Sequence, residues 1–318
     1  MNSSNVGGLV RREAAVLSSL LVLVASVVWS ETQAFALTNL VVQLALFAVV
    51  AIIPALVTLR MSYVDIAWPF GLVALGVLTL VFGDSSSRPV MAVAVIYVIM
   101  GARMGIGALV LLIQGELDQE LPRYQYQRLR WRRASFGSER ADLTAEILVQ
   151  ALSNVTFLAI PAALAVASDR AGLGIVSAIG IVLWSLSWAL ESTADVQKHR
   201  FVNQSKRLGV KRSCNVGLWR YSRHPNYFFQ WMQWNSLVLI TAPLVTNLFS
   251  ESMTLPKLAI FVGLLGTSAT MYYCLVYYTG AVPAEHYSVL SRPDYASYQA
   301  RTNRFFPGIP GRRPKENR

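Results

Sequence analysis

Residues 64–113 read VDIAWPFGLVALGVLTLVFGDSSSRPVMAVAVIYVIMGARMGIGALVLLI. Two apolar runs, 64–82 and 89–113, flank a short polar turn. Each approaches or exceeds the ~20 mostly apolar residues that a helix needs to cross the bilayer hydrocarbon, and each is too long and too evenly apolar for a barrel strand. Working outward, similar runs occupy 14–30, 36–59, 144–167, 171–191, 228–248 and 256–278. The expected fold is all-α, a polytopic transmembrane bundle of eight spans. Composition agrees: of 318 residues, 54% are hydrophobic and 14% charged, against about 25% charged in an ordinary soluble domain. That balance argues against a soluble enzyme and against a disordered chain. With two cysteines and three histidines, neither a disulfide framework nor a metal cluster is expected.

The net charge of +11 speaks first to orientation. With eight spans and a cytoplasmic N-terminus, 24 of the 28 Lys and Arg fall on inside segments and three on outside loops. That bias satisfies the positive-inside rule with both termini cytoplasmic. Arg outnumbers Lys 23 to 5, and the Ala- and Arg-rich composition leans toward a bacterial inner membrane. No interleaving of aromatic and basic residues asks for a nucleic acid; membrane lipids are the expected surroundings, and the oligomeric state stays open. Residues 1–36 form an N-terminal span whose Arg11-Arg12 start and Ala34-Phe35-Ala36 end resemble a signal peptide. Residues 37–310 form one membrane-embedded domain and 311–318 a basic tail. Polar chemistry has room in three large cytoplasmic segments.

The densest of these is Glu191-Ser-Thr-Ala-Asp195-Val-Gln-Lys198-His199-Arg200. It follows the sixth span without Pro or Gly, so its helix is expected to run on into the cytoplasm. Trp184, Trp188, Glu191 and Asp195 share one helical face, and Asp195 and His199, four apart, are spaced to pair. A carboxylate at the membrane end of a span is costly and points to a functional site. A solvated helix end with Lys198 and Arg200 snorkelling to the headgroups is the other reading.

Next comes Gly217-Leu-Trp219-Arg220-Tyr221-Ser222-Arg223-His224-Pro225-Asn226-Tyr227. Pro225 suits the opening of the seventh span. Arg223, His224 and Asn226 then sit at a helix N-terminus that favours an anion, with Trp219 and Tyr227 as flat faces. The alternative is a belt of aromatics and arginines at headgroup level. In the tail, Glu285-His286-Tyr287, Arg292-Pro293-Asp294-Tyr295, Tyr298 and Arg301 read as a helical aromatic ridge that docks on the bundle, closes over a ligand, or does both. Arg103, near mid-span, needs a partner. Asp65 is the expected one, either as a structural ion pair or as part of a site. The loop 116–133 has an acidic start and a basic end; its second half reads as a membrane-surface helix, while Arg123 and Tyr124 remain within reach of a ligand.

In order and spacing, Ala194-Asp195-x-Gln197-Lys198-x-x-Phe201, Gly217-Leu218-Trp219, Ser222-Arg223-His224-Pro225-Asn226-Tyr227-Phe228 and the tail pattern Gly280, Glu285, Arg292-x-x-Tyr295-x-x-Tyr298, Thr302, Phe306-Pro307 resemble the steroid 5-alpha-reductase family of membrane reductases, particularly its bacterial branch. Glu120-x-x-Arg123-Tyr124 resembles that branch's acidic-Arg-Tyr loop. The resemblance covers 37–310 and is strongest over 191–310. It implies a seven-helix reductase-like core, here spans two to eight, with one N-terminal span added. It implies NADPH at the cytoplasmic end and reduction of an activated carbon–carbon double bond in a lipophilic substrate, a steroid-like, isoprenoid or lipid enone. By position it implies Asp65 as the acid that polarises the substrate carbonyl and Tyr97 as its tyrosine partner. Cofactor contacts are implied for Arg103, Arg123, Asp195, Lys198, Arg200, Trp219, Arg223, His224, Asn226, Tyr227, Glu285, His286, Tyr295, Tyr298 and Arg301.

Two departures stand out. Asp65 occupies the place of a glutamate in the steroid enzymes, and Phe229-Gln230 stands where many relatives read Gly-Glu. No Gly-x-Gly-x-x-Gly follows a strand, so a Rossmann site is not expected. Two rival readings stay open. The isoprenylcysteine and phospholipid methyltransferases, which use S-adenosylmethionine, share an Arg-His-Pro-x-Tyr signature. A transporter or assembly factor, with Arg103 on a transport path, is the non-enzymatic rival.

Overall fold

The computed structural model describes residues 3–133, 137–168, 172–249 and 254–311, and this part is all-α with no strand. Helix α1 (Ser3–Val28) ends at Trp29, whose extended backbone leads into α2 (Ser30–Phe47). A wide π-type turn, Ala48–Ile52, joins α2 to α3 (Ile53–Thr58). Helices α4 (Val64–Phe82) and α5 (Arg88–Ile113) coincide with the two runs first read. The polar connection after them carries α6 (Pro122–Arg133). Helices α7 (Glu139–Val155) and α8 (Ile160–Ala167) follow, then α9 (Ile175–Arg207) and α10 (Pro225–Phe249). The chain ends with α11 (Leu255–Tyr273), a second π-type turn at Cys274–Tyr278, α12 (Ala281–Ser291) and α13 (Tyr295–Gln299). As expected, α9 runs unbroken past its apolar part.

Among the described residues, six helical stretches are long and apolar enough to cross a membrane: Ser30–Thr58, Val64–Phe82, Arg88–Ile113, Glu139–Ala167, Ile175–Arg207 and Leu255–Ser291. The chain is a multi-pass membrane protein. The count differs from eight at two places. In α1 the described apolar part is the shorter Val16–Val28. Helix α10 has 25 residues, but Gln230, Gln233, Asn235 and Ser236 dilute its first half. Of these, Gln233 and Ser236 are buried, so the polarity serves the interior. The fifth run is not one regular helix, because Thr156 leaves helical geometry between α7 and α8.

Helices α4 and α5 pack along their lengths. A Cβ on Gly101 would lie 2.5 Å from the carbonyl oxygen of Pro69, so glycine there lets two backbones touch. In the α9–α10 pair, Ser177 Oγ donates to the carbonyl of Ile240 at 2.8 Å. Between the pairs lies a core that includes Leu72, Leu75, Val93, Tyr97, Trp234 and Leu237. A chain of buried amides ties α2, α4 and α7. Gln43 Nε2 donates to Asn39 Oδ1 at 3.1 Å and to the carbonyl of Gly71 at 2.9 Å. Asn154 Nδ2 donates to Gln43 Oε1 at 3.2 Å and to the carbonyl of Trp68 at 3.1 Å. Inside a membrane such amides act as interhelical glue. Phe35 and Ala36, from the signal-like stretch, are buried within α2. On the outside, Val57, Val81, Ile113, Ile175, Val182 and Leu265 are each more than half exposed, which suits a surface solvated by lipid.

Candidate functional site

Arg103 crosses from α5 to α9. Its Nη1 lies 2.8 Å from Glu191 Oε1 and its Nη2 2.5 Å from Asp195 Oδ2. The expected Arg103–Asp65 pair is not formed. Glu191 and Asp195 sit one turn apart on α9, so two carboxylates bracket one planar guanidinium. Gln233 Nε2 donates to Glu191 Oε2 at 2.5 Å and Asn226 Nδ2 to Asp195 Oδ1 at 3.1 Å, which brings α10 into the cluster. Glu191 is the buried member, while the Asp195 side chain is 44% exposed. The expected Asp195–His199 pair is also absent: exposed His199 bonds Asn203 at 2.8 Å instead.

Asp65, at the start of α4, is held from α6. Arg123 Nη2 donates to its Oδ2, and the Tyr124 hydroxyl donates to its Oδ1 at 2.5 Å. Glu120 positions that helix by accepting from the Met61 amide at 2.9 Å, from Ser62 Oγ at 2.7 Å and from Arg128. Burial first, and the Asp65 carboxylate second, hold the Tyr124 hydroxyl well above its ordinary range, so it stays protonated. The tyrosine partner of Asp65 is therefore Tyr124 and not Tyr97. Tyr97 is fully buried against Trp234, and its hydroxyl donates to the carbonyl of Leu158 at 2.5 Å. Its place in the interior of α5, packed on α8 and α10, keeps it from the Asp65 cluster. The signal for Tyr124 lay in the acidic-Arg-Tyr run.

Arg223 was expected to hold an anion at the start of α10. Instead its Nε and Nη2 meet Glu285 at 2.7 and 3.1 Å. Its Nη1 donates to the carbonyls of Gln299 and Thr302 at 3.1 and 2.5 Å, and its amide donates to the carbonyl of Asn303 at 2.9 Å. The tail thus occupies the helix terminus, and the guanidinium is a clamp. His224 Nε2 and Arg304 Nε approach the same carboxylate at 3.3 and 3.1 Å. Burial keeps the His224 imidazole below its usual range against the opposing pull of Glu285. The aromatic ridge is not one helix, because the chain breaks between α12 and α13. Tyr295 and Tyr298 still pack edge to face at 5.8 Å, and the Tyr298 hydroxyl donates to the carbonyl of Trp219. Burial pushes the Tyr295 hydroxyl up to about 12.

The remaining expected residues divide. Trp219 is buried, with its Nε1 donating to the carbonyl of Ala194 at 2.8 Å, and Lys198 Nζ sits 4.3 Å from its ring centroid. Arg200 is exposed. His286 is exposed and packs on Tyr126, ring centroids 5.1 Å apart. Arg301 Nε is buried with no hydrogen-bond partner among the described residues. Tyr227 lies parallel to the His224 ring at 5.4 Å and within electrostatic range of Arg123, Asp195 and Asp65. Tyr227 is thus within the electrostatic reach of both open clusters. Two buried atoms there lack partners among the described residues, Arg123 Nε and Asn226 Oδ1. The site residues thus form two bonded sets, Asp65 with Arg123 and Tyr124, and Arg103 with Glu191, Asp195, Asn226 and Gln233. Among the described residues no group of three or more His, Cys, Asp or Glu is placed to hold a metal ion.

Fold and site define a polytopic helical membrane protein with a partly buried charged cluster at one end of its bundle. The chain belongs to the family described as protein of unknown function (DUF1295), whose model matches residues 51–302 and so spans every residue of that cluster. No curated protein and no solved structure matches the chain.

Proposed function

We propose that this protein is a membrane oxidoreductase, similar to the steroid 5-alpha-reductases, that uses NADPH to reduce an activated carbon–carbon double bond of a lipophilic substrate. The positive-charge bias supports an orientation with both termini and the charged cluster cytoplasmic, and the Ala- and Arg-rich composition supports a bacterial inner membrane. The observation that carries the reading is the Tyr124–Asp65 hydrogen bond, with Tyr227 within electrostatic range of both Asp65 and Asp195. The orphaned Asn226 Oδ1 calls for an N–H donor, which a nicotinamide carboxamide has, and the half-open Asp195 carboxylate can accept from a ribose hydroxyl. The donor set thus fits the cofactor, with Asp195, Asn226, Tyr227 and Arg103 as the residues that would hold it. When bound, the reduced nicotinamide supplies hydride.

The chain's own groups do the rest. Tyr124 keeps its proton and donates it in a hydrogen bond to Asp65; with substrate bound, the hydroxyl would turn that proton from Asp65 to the carbonyl oxygen where negative charge develops. Asp65 and Arg123 fix its orientation. Helices α6 and α12 meet through Tyr126 and His286. An open apolar groove of about 760 Å³ runs along α2, α4 and α5, lined by Val42, Ile66, Phe70, Val77 and Leu109 among others. It begins at Tyr63, two residues from Asp65, and suits approach of a substrate from the lipid.

A melting assay in detergent separates this reading from the methyltransferase. NADPH should raise the melting temperature by several degrees and S-adenosylmethionine should not. The reverse result overturns the reading. Lipid extracts from cells with and without the gene should differ by one pair of hydrogens in one species.

A further inference from the structure

The strap of chain after α13 carries an apolar tip that the fold holds outward. The Arg223 amide donates to the carbonyl of Asn303 at 2.9 Å, Ser222 Oγ to that of Phe305 at 2.8 Å and the Gly308 amide to that of Tyr221 at 3.0 Å. The Gly311 amide returns to the carbonyl of Arg301 at 2.8 Å, which closes residues 301–311 into a loop. Phe305 is buried, its ring 5.7, 5.9 and 5.2 Å from those of Phe228, Trp231 and Tyr272. Phe306, stacked on Tyr272 at 6.1 Å, is 51% exposed, and Ile309 is 96% exposed. The patch continues from Tyr272 to Tyr277 and on to Tyr273, at ring distances of 6.1 and 5.9 Å, and Tyr273 and Tyr277 are each nearly half exposed.

Single apolar side chains on a surface need no explanation, but a contiguous patch does. Depth supplies one. Helix α11 rises about 27 Å from Leu255 to Tyr273, close to the ~30 Å of bilayer hydrocarbon. Tyr272, Tyr273 and the π-type turn with Tyr277 therefore stand at the edge of the membrane, the level where such aromatics concentrate. Phe306 stacks on that belt, so the tip lies at the same level. Charge points the same way. Arg312, Arg313, Lys315 and Arg318 follow the tip in sequence, against the single acid Glu316. Apolar side chains beside basic residues are the composition that holds to an anionic leaflet.

We propose that Phe306 and Ile309 dock the strap in the headgroup boundary of an anionic phospholipid leaflet, and that this docking keeps the strap closed over Arg223. The strap supplies the Thr302 and Asn303 carbonyls that Arg223 uses, so lipid contact at the tip and the buried Arg223–Glu285 pair support each other. The inference goes beyond the reductase reading and does not depend on it.

The test uses the full chain in nanodiscs of phosphatidylcholine with and without phosphatidylglycerol. Ile309→Asp should fold, because this side chain is held clear of the rest of the protein. Trypsin cleavage after Arg304 is followed by mass spectrometry, relative to cleavage after Arg207, which is exposed at the end of α9. With phosphatidylglycerol present, Ile309→Asp should be cut after Arg304 about tenfold faster than the wild type, since cutting tracks the open population. The wild type should be cut more slowly with phosphatidylglycerol than without it. Equal rates for the two proteins overturn the docking, and equal wild-type rates in the two discs overturn the anionic leaflet. A second measurement places a polarity-sensitive fluorophore on Ile309→Cys in a chain carrying Cys214→Ala and Cys274→Ala. Nitroxide lipids labelled near the headgroup should quench it, and the same label on Arg207→Cys should stay bright. A blue-shifted but unquenched label at 309 marks a protein partner or a second copy of the chain, and overturns the lipid.

Discussion

Arg223 and Glu285 face each other as a bidentate pair, Nε to Oε1 at 2.7 Å and Nη2 to Oε2 at 3.1 Å, with side chains only 8% and 5% exposed. The pair joins the start of α10 to α12, and Arg223 extends the link to the carbonyls of Gln299 and Thr302. What the Arg-His-Pro-Asn-Tyr run offers as a ligand cation is thereby committed to closing the tail onto the bundle.

Glu285→Gln leaves a buried guanidinium without its main counter-charge. The expected loss is about 3–5 kcal/mol, seen as a lower melting temperature in detergent. Asp195→Asn, at a side chain 44% exposed, should shift melting far less. Wild-type melting of the Glu285→Gln protein would remove the clamp from the account.

Tyr124 and Tyr97 exchange the roles expected of them, and phenylalanine at each position separates the two. Tyr124→Phe should lower kcat for double-bond reduction about 10²–10³-fold, the usual effect of deleting one preorganised donor, while NADPH affinity holds. Tyr97→Phe deletes a buried bond to the Leu158 carbonyl and should cost about 1 kcal/mol of stability with kcat unchanged. Loss of turnover in Tyr97→Phe alone would return the chemistry to α5.

Arg103 holds Glu191 and Asp195 together. Arg103→Ala should destabilise by somewhat less than the roughly 3–5 kcal/mol of a fully buried pair, because a quarter of the Arg103 side chain is exposed. Adding Glu191→Gln should restore part of the loss, since a neutral amide is cheaper to bury unpaired than a carboxylate. Additive destabilisation in the double variant would count against coupling between the two.

His224 is held neutral in the fold chiefly by burial. Its folded pKa lies below the ordinary 6.5, so the unfolded chain takes up the proton first. This group's contribution is present above about pH 6.5 and falls away as pH drops below it. Melting should therefore weaken from pH 7.5 to pH 5.5, and His224→Gln should flatten that dependence. An unchanged slope in the variant would assign it elsewhere.

Much of the architecture is legible along the chain because hydropathy is a local property. The runs at 64–82 and 89–113 became α4 and α5, Pro225 opens α10, and the face shared by Trp184, Trp188, Glu191 and Asp195 persists in α9. Where local signal was mixed, reading was poorer. Gln230, Gln233 and Asn235 dilute the seventh run, and the break at Thr156 is announced only by Pro161 in the first turn of α8, inside a run apolar enough to read as one span. The site residues were legible as types and not as partners. Glu191 was visible in the motifs, but its pairing with Arg103 and Gln233 was not.

Sequence alone determined that this chain is a bundle of apolar helices with its charge gathered on a few polar segments, since transfer of each segment into lipid depends only on its own residues. Which charge meets which was decided by the tertiary structure. Arg103 bonds a residue 92 positions away rather than Asp65, because helix order and rotation, set by close contacts such as Gly101 on Pro69, fix which side chains share a low-dielectric space. In that space an unpaired charge is costly, so the packing selects the partners.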